Sequence, residues 1–154
     1  MAADDPLALE HQVCFALAVA SRAVVAAYRP VLEPLGLSHP QYLVMLALWE
    51  HDGLSLKELS TTLHLEPATA SPLVKRLESV GLVTRERSAH DERALTITLT
   101  DAGRNLRDAA LSVPTTMLDR LGMSTDELVD ANSFLHRLIA AAHATDPAPT
   151  RSPA

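Results

Sequence analysis

Residues 56–100 read LKELSTTLHLEPATASPLVKRLESVGLVTRERSAHDERALTITLT, and this stretch decides the fold. Its first part has the pattern of two helices separated by a tight break. Ser55 and Glu58 have the spacing of a capping box, so a short helix is expected directly after Ser55. Pro67 suits the first turn of the second helix, whose apolar residues recur at helical spacing until Gly81 ends it.

Two short strands are predicted after the second helix. Leu82–Arg87 and Ala94–Leu99 alternate between apolar and polar residues, and Ser88–Arg93 forms a polar tip between them. Two helices joined by a turn and followed by a hairpin are the order of a winged helix-turn-helix. The sequence therefore predicts a protein that binds double-stranded DNA.

The composition favours a mostly helical protein, which together with the predicted hairpin gives a mainly α fold with a small β-hairpin wing. The chain has 154 residues, enough for one domain with a sizeable core, and only 3% of them are aromatic. One cysteine cannot form an internal disulfide, which favours a reducing, cytoplasmic setting. The acidic N-terminus and the lack of a long apolar run predict neither a signal peptide nor a membrane span.

The net charge of −6 argues mildly against nucleic-acid binding, but its distribution weakens that objection. Residues 54–99 are neutral, because six basic residues are balanced there by six acidic ones. The basic residues are Lys57, Lys75, Arg76, Arg85, Arg87 and Arg93. The negative excess lies in the flanks, so a basic face on an acidic body remains compatible with DNA binding.

Long amphipathic helices are predicted on both sides of the winged segment, which we define as residues 54–100. They cover about residues 6–34 and 101–144, in a single domain of residues 1–144. Asp5-Pro6 is expected to open the first helix and Pro30 to kink or end it. The apolar positions of the first helix are Val13, Leu17, Ala20, Val24, Ala27 and Val31.

Such flanking helices exceed what the core of a small winged segment needs. We therefore expect them to pair with a second copy, giving a two-fold homodimer that matches a pseudo-palindromic operator. A further kink is expected at Pro114, and a capping box of Ser124 and Glu127 is expected to open the last helix. Residues 145–154 are rich in proline and are predicted to be a disordered tail.

The N-terminal part of the second helix of a helix-turn-helix lies near base edges in the major groove. Here those residues are Pro67, Ala68, Thr69, Ala70 and Ser71. The two hydroxyl groups could donate or accept hydrogen bonds, and Ala70 could contact a thymine methyl group. Lys75 and Arg76 lie further along and suit phosphates. The alternative for this segment is an ordinary solvated helix face.

The predicted wing adds further candidates for DNA contact. Asp91 and Arg93 lie two residues apart at its tip, where the carboxylate can orient the arginine into a minor groove. Arg85 and Arg87 on the preceding strand suit the DNA backbone. A charged hairpin tip is often only solvated, but its position directly after a helix-turn-helix favours DNA contact.

Four motifs in this order resemble the MarR family of dimeric winged-helix regulators across nearly the whole chain. They are LVKRLE at 73–78, GLV at 81–83, DER at 91–93 and LTDAG at 99–103. The resemblance implies that the terminal helices form the dimer and that Arg93 is the arginine of the minor groove.

The single cysteine, Cys14, lies early in the first predicted helix, next to Val13. A lone helical cysteine is more often a small buried hydrophobe than a reactive group. However, four segments resemble the organic-hydroperoxide sensors of the MarR family, the OhrR branch. They are QVCF at 12–15, ASR at 20–22, YRPVL at 28–32 and PQYLVM at 40–45.

This second resemblance implies that Cys14 is oxidised to a sulfenic acid and that the protein then releases DNA. That chemistry needs a thiolate that peroxide can reach. Tyr28 matches a tyrosine that serves the cysteine in the family, whereas His39 and Ala18 stand where the family usually has tyrosine. Histidine can still donate a hydrogen bond and, when protonated, would favour the thiolate. The alternative for His39 is a solvent-facing residue at a helix start.

Geometry restricts how Cys14 and Tyr28 can meet. On one helix they would be roughly 21 Å apart at about 1.5 Å per residue, so a bond between them requires the partner subunit. The chain has no second cysteine, so a separate resolving thiol is excluded. By resemblance, a low-molecular-weight thiol then caps the sulfenic acid, or further oxidation inactivates it.

Three other functions compete with a peroxide-sensing repressor. The nearest is a MarR-type regulator released from DNA by a small apolar or phenolic ligand, with Cys14 inert. A thiol peroxidase using Cys14 would be an enzyme, which the wing-bearing pattern does not favour. Metal sensing is also weakly supported, because the seven histidines are scattered without a pair at i, i+4. We therefore predict no enzyme, no metal and no cofactor.

Overall fold

The computed structural model describes residues 5–87 and 95–145 and is mainly helical. Its elements are α1 Val13–Leu32, α2 His39–Glu50, β1 Leu54–Ser55, α3 Leu56–Thr62, α4 Pro67–Ser79, β2 Val83–Arg87, β3 Leu95–Leu99, α5 Asp101–Ala110, α6 Val113–Leu121 and α7 Thr125–Thr145. The three strands form an antiparallel sheet in the order β1-β3-β2. Helices α3 and α4 with this sheet form a winged helix-turn-helix, which confirms the predicted fold.

Local side-chain chemistry sets the start of several helices. The predicted capping boxes at Ser38 and Ser55 are both present, opening α2 and α3. Ser124 also accepts from the amide of Glu127 at the start of α7, as predicted. Each box satisfies two amide groups that have no partner within the helix, so these helix starts follow from the sequence alone.

The first long helix starts later than predicted. It begins at Val13 rather than at Pro6, and a short 3-10 turn at Leu9–His11 precedes it. The Asp5 carboxylate accepts from the amide of Leu7, so it caps a local turn rather than the helix. Pro30 lies inside α1, which continues for two more residues before it ends.

The structure contains a strand that the sequence pattern did not predict. Strand β1 has only two residues, and Leu54 and Ser55 pair with Ile97 and Thr96 of β3. The pattern predicted a two-stranded hairpin, whereas the described sheet has three strands, because two residues are too few to show an alternation. Pairing with β3 fixes the base of the wing to the start of α3.

The break near the predicted kink at Pro114 lies slightly earlier in the chain. Helix α5 ends at Ala110, and α6 begins at Val113 with Pro114 in its first turn, where proline is tolerated. By its contacts the chain divides into two compact units, one ending at Pro114 and one starting at Thr115. Most of the predicted disordered tail, residues 146–154, lies outside the described residues.

The core of the first unit lies where α2, α3, α4 and the sheet meet. Its largest fully buried side chains are those of Leu32, Met45, Leu48, Leu59, Leu77 and Ile97. In contrast, α1 buries only Leu32, although most of its residues are apolar. In the second unit, no residue of α7 is buried in the part of the chain described.

By length and composition the segment Val13–Leu35 would also qualify as a membrane span. The expectation of no such run was therefore wrong, because only Arg22, Arg29 and Glu33 interrupt these 23 residues with charge. One such helix is weak evidence for a membrane, since the core helix of a soluble protein or a signal sequence passes the same test.

Candidate DNA-binding surface and redox site

Helix α4 has the position of a recognition helix, and its inner face is fixed by Ala70, Val74 and Leu77. These three residues are buried and recur at helical spacing, so the opposite face points outward. Ala70 is fully buried, so its predicted contact with a thymine methyl group was wrong. Ala70 lies four and seven residues before Val74 and Leu77, so it is on the same face of α4 and points towards the core.

The other predicted base-edge residues of α4 are accessible to different degrees. Pro67 occupies the first helical position, and it is exposed together with Ala68 and Thr69. Ser71 is half-buried, while Lys75 and Arg76 are exposed. The N-terminal turn thus presents small side chains, which is compatible with base contact. The two basic residues are adjacent and follow about two turns after Pro67, which is compatible with phosphate contact.

Arg85, which was predicted to contact the DNA backbone, forms an ion pair within the chain. Arg85 on β2 forms an ion pair with Glu78 of α4, with 2.7 Å between Nη2 and Oε2, and its Nε donates to the same oxygen at 2.8 Å. Both side chains are about one-third exposed. Arg87 is exposed on the same strand, and Asp91 and Arg93 lie outside the described residues.

A close backbone contact joins the end of α4 to the start of α5. A side chain at Gly103 would place its Cβ 2.1 Å from the Leu82 carbonyl oxygen, so only glycine fits there. Thr100 caps α5 by accepting from the Gly103 amide, and its hydroxyl donates to the Gly81 carbonyl oxygen at 2.6 Å. Its own amide donates to the Leu82 carbonyl oxygen at 3.1 Å.

The C-terminal end of α2 holds the same junction from the other side. The indole N–H of Trp49 donates to the Gly103 carbonyl oxygen at 2.9 Å. Two residues past the end of α2, the Asp52 carboxylate accepts from the Leu99 amide at 2.9 Å and pairs with Arg104 at 3.1 Å. Sequence patterns gave no sign of these contacts, because the partners lie about 50 residues apart.

Cys14 lies in the first turn of α1 and is exposed. The general expectation of a buried cysteine does not hold within the single chain. Tyr28 lies fourteen residues later on the same helix, which separates the two by roughly 21 Å. The two groups therefore cannot contact each other within one chain.

Tyr28 instead belongs to an aromatic cluster with residues of α2. Its ring centroid lies 4.9 Å from that of His39 and 6.0 Å from that of Tyr42. Tyr42 in turn contacts Trp49 edge-on, with 6.5 Å between ring centroids. The structure thus brings two of the predicted redox residues, Tyr28 and His39, into ring contact and adds Tyr42 and Trp49 to the same cluster.

Burial shifts the titration of the cluster. It raises the pKa of Tyr28 above its ordinary value and lowers the pKa of His39 below 6.5. Burial and the neighbouring Tyr28 also raise the pKa of Tyr42. His39 is half-buried against Tyr28 rather than facing solvent, and it is mostly neutral at pH 7. Its ring is therefore a hydrogen-bonding group there, not a fixed positive charge.

An apolar cavity of about 320 Å³ lies beside this cluster. Tyr42, Leu46 and Trp49 of α2 line one side, and Ala110 and Leu111 line the other. The charged residues Glu50 and Arg107 also line the cavity. Among residues 5–87 and 95–145, no group of three or more His, Cys, Asp or Glu side chains is arranged to hold a metal ion.

These features define a winged helix-turn-helix DNA-binding protein whose first helix carries an exposed cysteine. A family model described as "Transcriptional regulator SarA/Rot" matches residues 26–110. The Organic hydroperoxide resistance transcriptional regulator of Bacillus subtilis (strain 168) is 40% identical over 139 residues, which cover 90% of this chain and 95% of the relative. The chain belongs to the MarR family of winged-helix transcriptional regulators, in the branch of the organic-hydroperoxide regulators.

Solved structures of AbfR from Staphylococcus epidermidis share this fold. Reduced AbfR bound to DNA is 34% identical with a TM-score of 0.75, covering 87% of this chain and 94% of that one. The disulfide form of AbfR is 33% identical with a TM-score of 0.62, covering 88% and 90%. The relatives described here are transcriptional regulators rather than enzymes.

Proposed function

We propose that this chain forms a homodimeric repressor that binds a pseudo-palindromic operator and releases it when an organic hydroperoxide oxidises Cys14. The observation that carries the proposal is the exposed Cys14 on a helix that buries only one of its 20 residues. A long apolar helix left uncovered in one chain is suited to pairing with a second copy. The membership of the organic-hydroperoxide branch supports the same assignment.

The dimer would bring the redox residues together. If the two α1 helices run antiparallel across the two-fold axis, Cys14 of one protomer meets the partner's copy of the cluster that holds Tyr28 and His39. The Tyr28 phenol and the neutral His39 imidazole can both donate a hydrogen bond to a thiolate, which favours the ionised form of the cysteine. The cluster would thereby serve a cysteine of the other chain, and the terminal helices would set the spacing of the two winged segments.

The oxidation step is a two-electron transfer. The Cys14 thiolate sulfur attacks the terminal oxygen of the hydroperoxide, an S–O bond forms, and the O–O bond breaks. The leaving alkoxide takes a proton and departs as the alcohol, leaving a sulfenic acid. A low-molecular-weight thiol then forms a mixed disulfide with the sulfenic acid and releases water.

The DNA contacts would come from both α4 and the wing. We assign Pro67, Ala68, Thr69 and Ser71 to base edges, and the basic residues to phosphates and the minor groove. The phosphate and wing residues are Lys75, Arg76, Arg85, Arg87, Asp91 and Arg93. The exposed N-terminal turn of α4 supports the first part of this assignment. The proposed role in transcription also implies that the protein acts in the cytoplasm, where it would meet its DNA.

A second candidate function rests on the apolar cavity beside Tyr42 and Trp49. Its volume of about 320 Å³ suits a small aromatic ligand, and such a ligand could release the DNA with Cys14 inert. The two functions differ in what Cys14 must do. The membership of the organic-hydroperoxide branch favours the redox function.

The experiment that decides is a gel shift with wild type and Cys14→Ser, each reduced or treated with cumene hydroperoxide. The duplex is one selected in vitro with the reduced protein. We expect both proteins to bind equally when reduced, and only the wild type to leave the DNA after treatment. Release of the serine variant by peroxide would reject the redox function, and release of both by a phenolic acid would support the ligand-controlled alternative.

A further inference from the structure

Helix α2 lies between the cluster at Tyr28 and the winged segment, and one of its faces is aromatic. Tyr42 and Trp49 are seven residues apart, which is close to two helical turns, so they lie on the same face. The ring of Tyr28 contacts that of Tyr42, and the ring of Tyr42 contacts that of Trp49. A continuous row of aromatic contacts therefore runs from α1 to the last turn of α2.

The row ends in hydrogen bonds that reach the end of the recognition helix α4. The Trp49 indole N–H donates to the Gly103 carbonyl oxygen, and the Gly103 amide donates to the Thr100 hydroxyl oxygen at 3.1 Å. That hydroxyl donates to the carbonyl oxygen of Gly81, the second residue after α4. Three hydrogen bonds thus connect the aromatic row to the point where α4 ends.

The junction at Gly103 is too tight to absorb a displacement. Because the Leu82 carbonyl already occupies the space of a Cβ, the backbones after α4 and at the start of α5 touch directly. Close-packed interiors shift between discrete arrangements rather than deforming gradually. A movement of Trp49 is therefore passed to the segment that follows α4.

We propose that Trp49 is the positioning residue that couples the oxidation state of Cys14 to the orientation of α4, through its N–H bond to the Gly103 carbonyl oxygen. This inference rests on the proposed redox function. Asp52 and Arg104 hold the same junction but make none of the aromatic contacts of the row. They fix the junction in both states, whereas Trp49 connects it to the sensor.

The test measures the ratio of the DNA dissociation constants of the oxidised and reduced homodimer. Trp49→Phe keeps an aromatic ring beside Tyr42 and removes the N–H donor. Leu46→Ala is the matched control, because Leu46 lines the same cavity and its side chain forms no hydrogen bonds. Cys14 oxidation by cumene hydroperoxide is followed separately by mass spectrometry. The extent of oxidation is thereby measured independently of its effect on DNA binding.

A second replacement avoids a change of ring size. The chain has a single tryptophan, so growth on β-(3-benzothienyl)alanine replaces only Trp49 by a ring of nearly the same shape without the N–H. We expect the reduced form of each Trp49 protein to bind DNA with a dissociation constant within about threefold of wild type. The ratio of the dissociation constants of the oxidised and reduced forms should fall by about five- to tenfold, the range that one neutral hydrogen bond supplies. The Leu46→Ala protein should keep the wild-type ratio.

The outcomes separate the two proposals. A wild-type ratio in both Trp49 proteins, with Cys14 oxidised, overturns the coupling role while leaving the redox function intact. An equal loss in Leu46→Ala also overturns it, since any loosening of α2 would then suffice. Wild-type protein that stays on DNA with Cys14 fully oxidised overturns the proposed function and, with it, this inference.

Discussion

Replacing Gly103 by alanine tests the tightest contact in the winged segment. Within a helix, alanine is normally better than glycine by about 1 kcal/mol, because glycine loses more backbone entropy on folding. At this position, however, the added Cβ would lie 2.1 Å from the Leu82 carbonyl oxygen. The sign of the effect therefore depends on which of the two contributions is larger.

The cost of the close contact at residue 103 should be larger than the gain from the higher helix propensity of alanine. Normal contact requires the two backbones to separate by about 1 Å, and overpacking of this kind costs about 1–3 kcal/mol. The movement also strains the bond from the Thr100 amide to the Leu82 carbonyl oxygen and the bond from Trp49 to Gly103, each worth about 1 kcal/mol. After subtracting the gain in propensity, we expect a net loss of about 2–3 kcal/mol.

The measurement is urea and thermal unfolding of the homodimer at one fixed protein concentration, since dimer stability depends on concentration. A loss of 2–3 kcal/mol corresponds to roughly 5–10 °C in Tm for a chain of this size. Ala102→Gly, at the exposed neighbouring position, calibrates the propensity in the same helix turn. A Gly103→Ala protein as stable as wild type, or more stable, would refute the close contact and the coupling that depends on it.

Two further predictions concern charge. Glu78→Gln releases Arg85 from its ion pair for contact with a phosphate, so binding in 0.05 M salt should tighten and the slope of log K against log salt should steepen by about one. Glu86→Gln removes the same charge from the neighbouring position without breaking the pair, and an equal slope change in both proteins would contradict the role of Arg85. Burial lowers the pKa of His39 below 6.5, so the unfolded chain binds more protons there and stability falls as pH drops below about 6.5. His39→Gln should therefore lose less stability than wild type between pH 7.5 and 5.5 in urea titrations, and an equal loss would argue against the half-buried ring.

Helices whose starts depend on neighbours three residues away were predictable from the sequence. The capping boxes of Ser38 and Ser55 are complete within four residues, so the sequence pattern located α2 and α3. The first helix was placed too early because its start depends on where the side chains of Asp5 and Gln12 form hydrogen bonds. Gln12 donates to the Pro6 carbonyl oxygen, a contact that no spacing rule specifies.

The site was predictable where it depends on composition and order, and not where it depends on tertiary contacts. The separation of Cys14 and Tyr28 on one helix followed from the sequence. The phase of Ala70 could have been read from Val74 and Leu77, four and seven residues later, and its burial was missed. The bond between Trp49 and Gly103 joins residues 54 positions apart, so no local pattern could predict it.

The two-residue strand β1 has a consequence for how this protein can vary. Ser55 pairs with Thr96 in the sheet, and its hydroxyl oxygen also caps α3, so wing and helix-turn-helix are joined with no spacer residue. Insertions elsewhere on the surface are often tolerated, but one extra residue after Leu54 would force a choice between sheet register and helix cap. Natural length variation among relatives should therefore avoid this point, and engineered hinges or tags belong elsewhere in the chain.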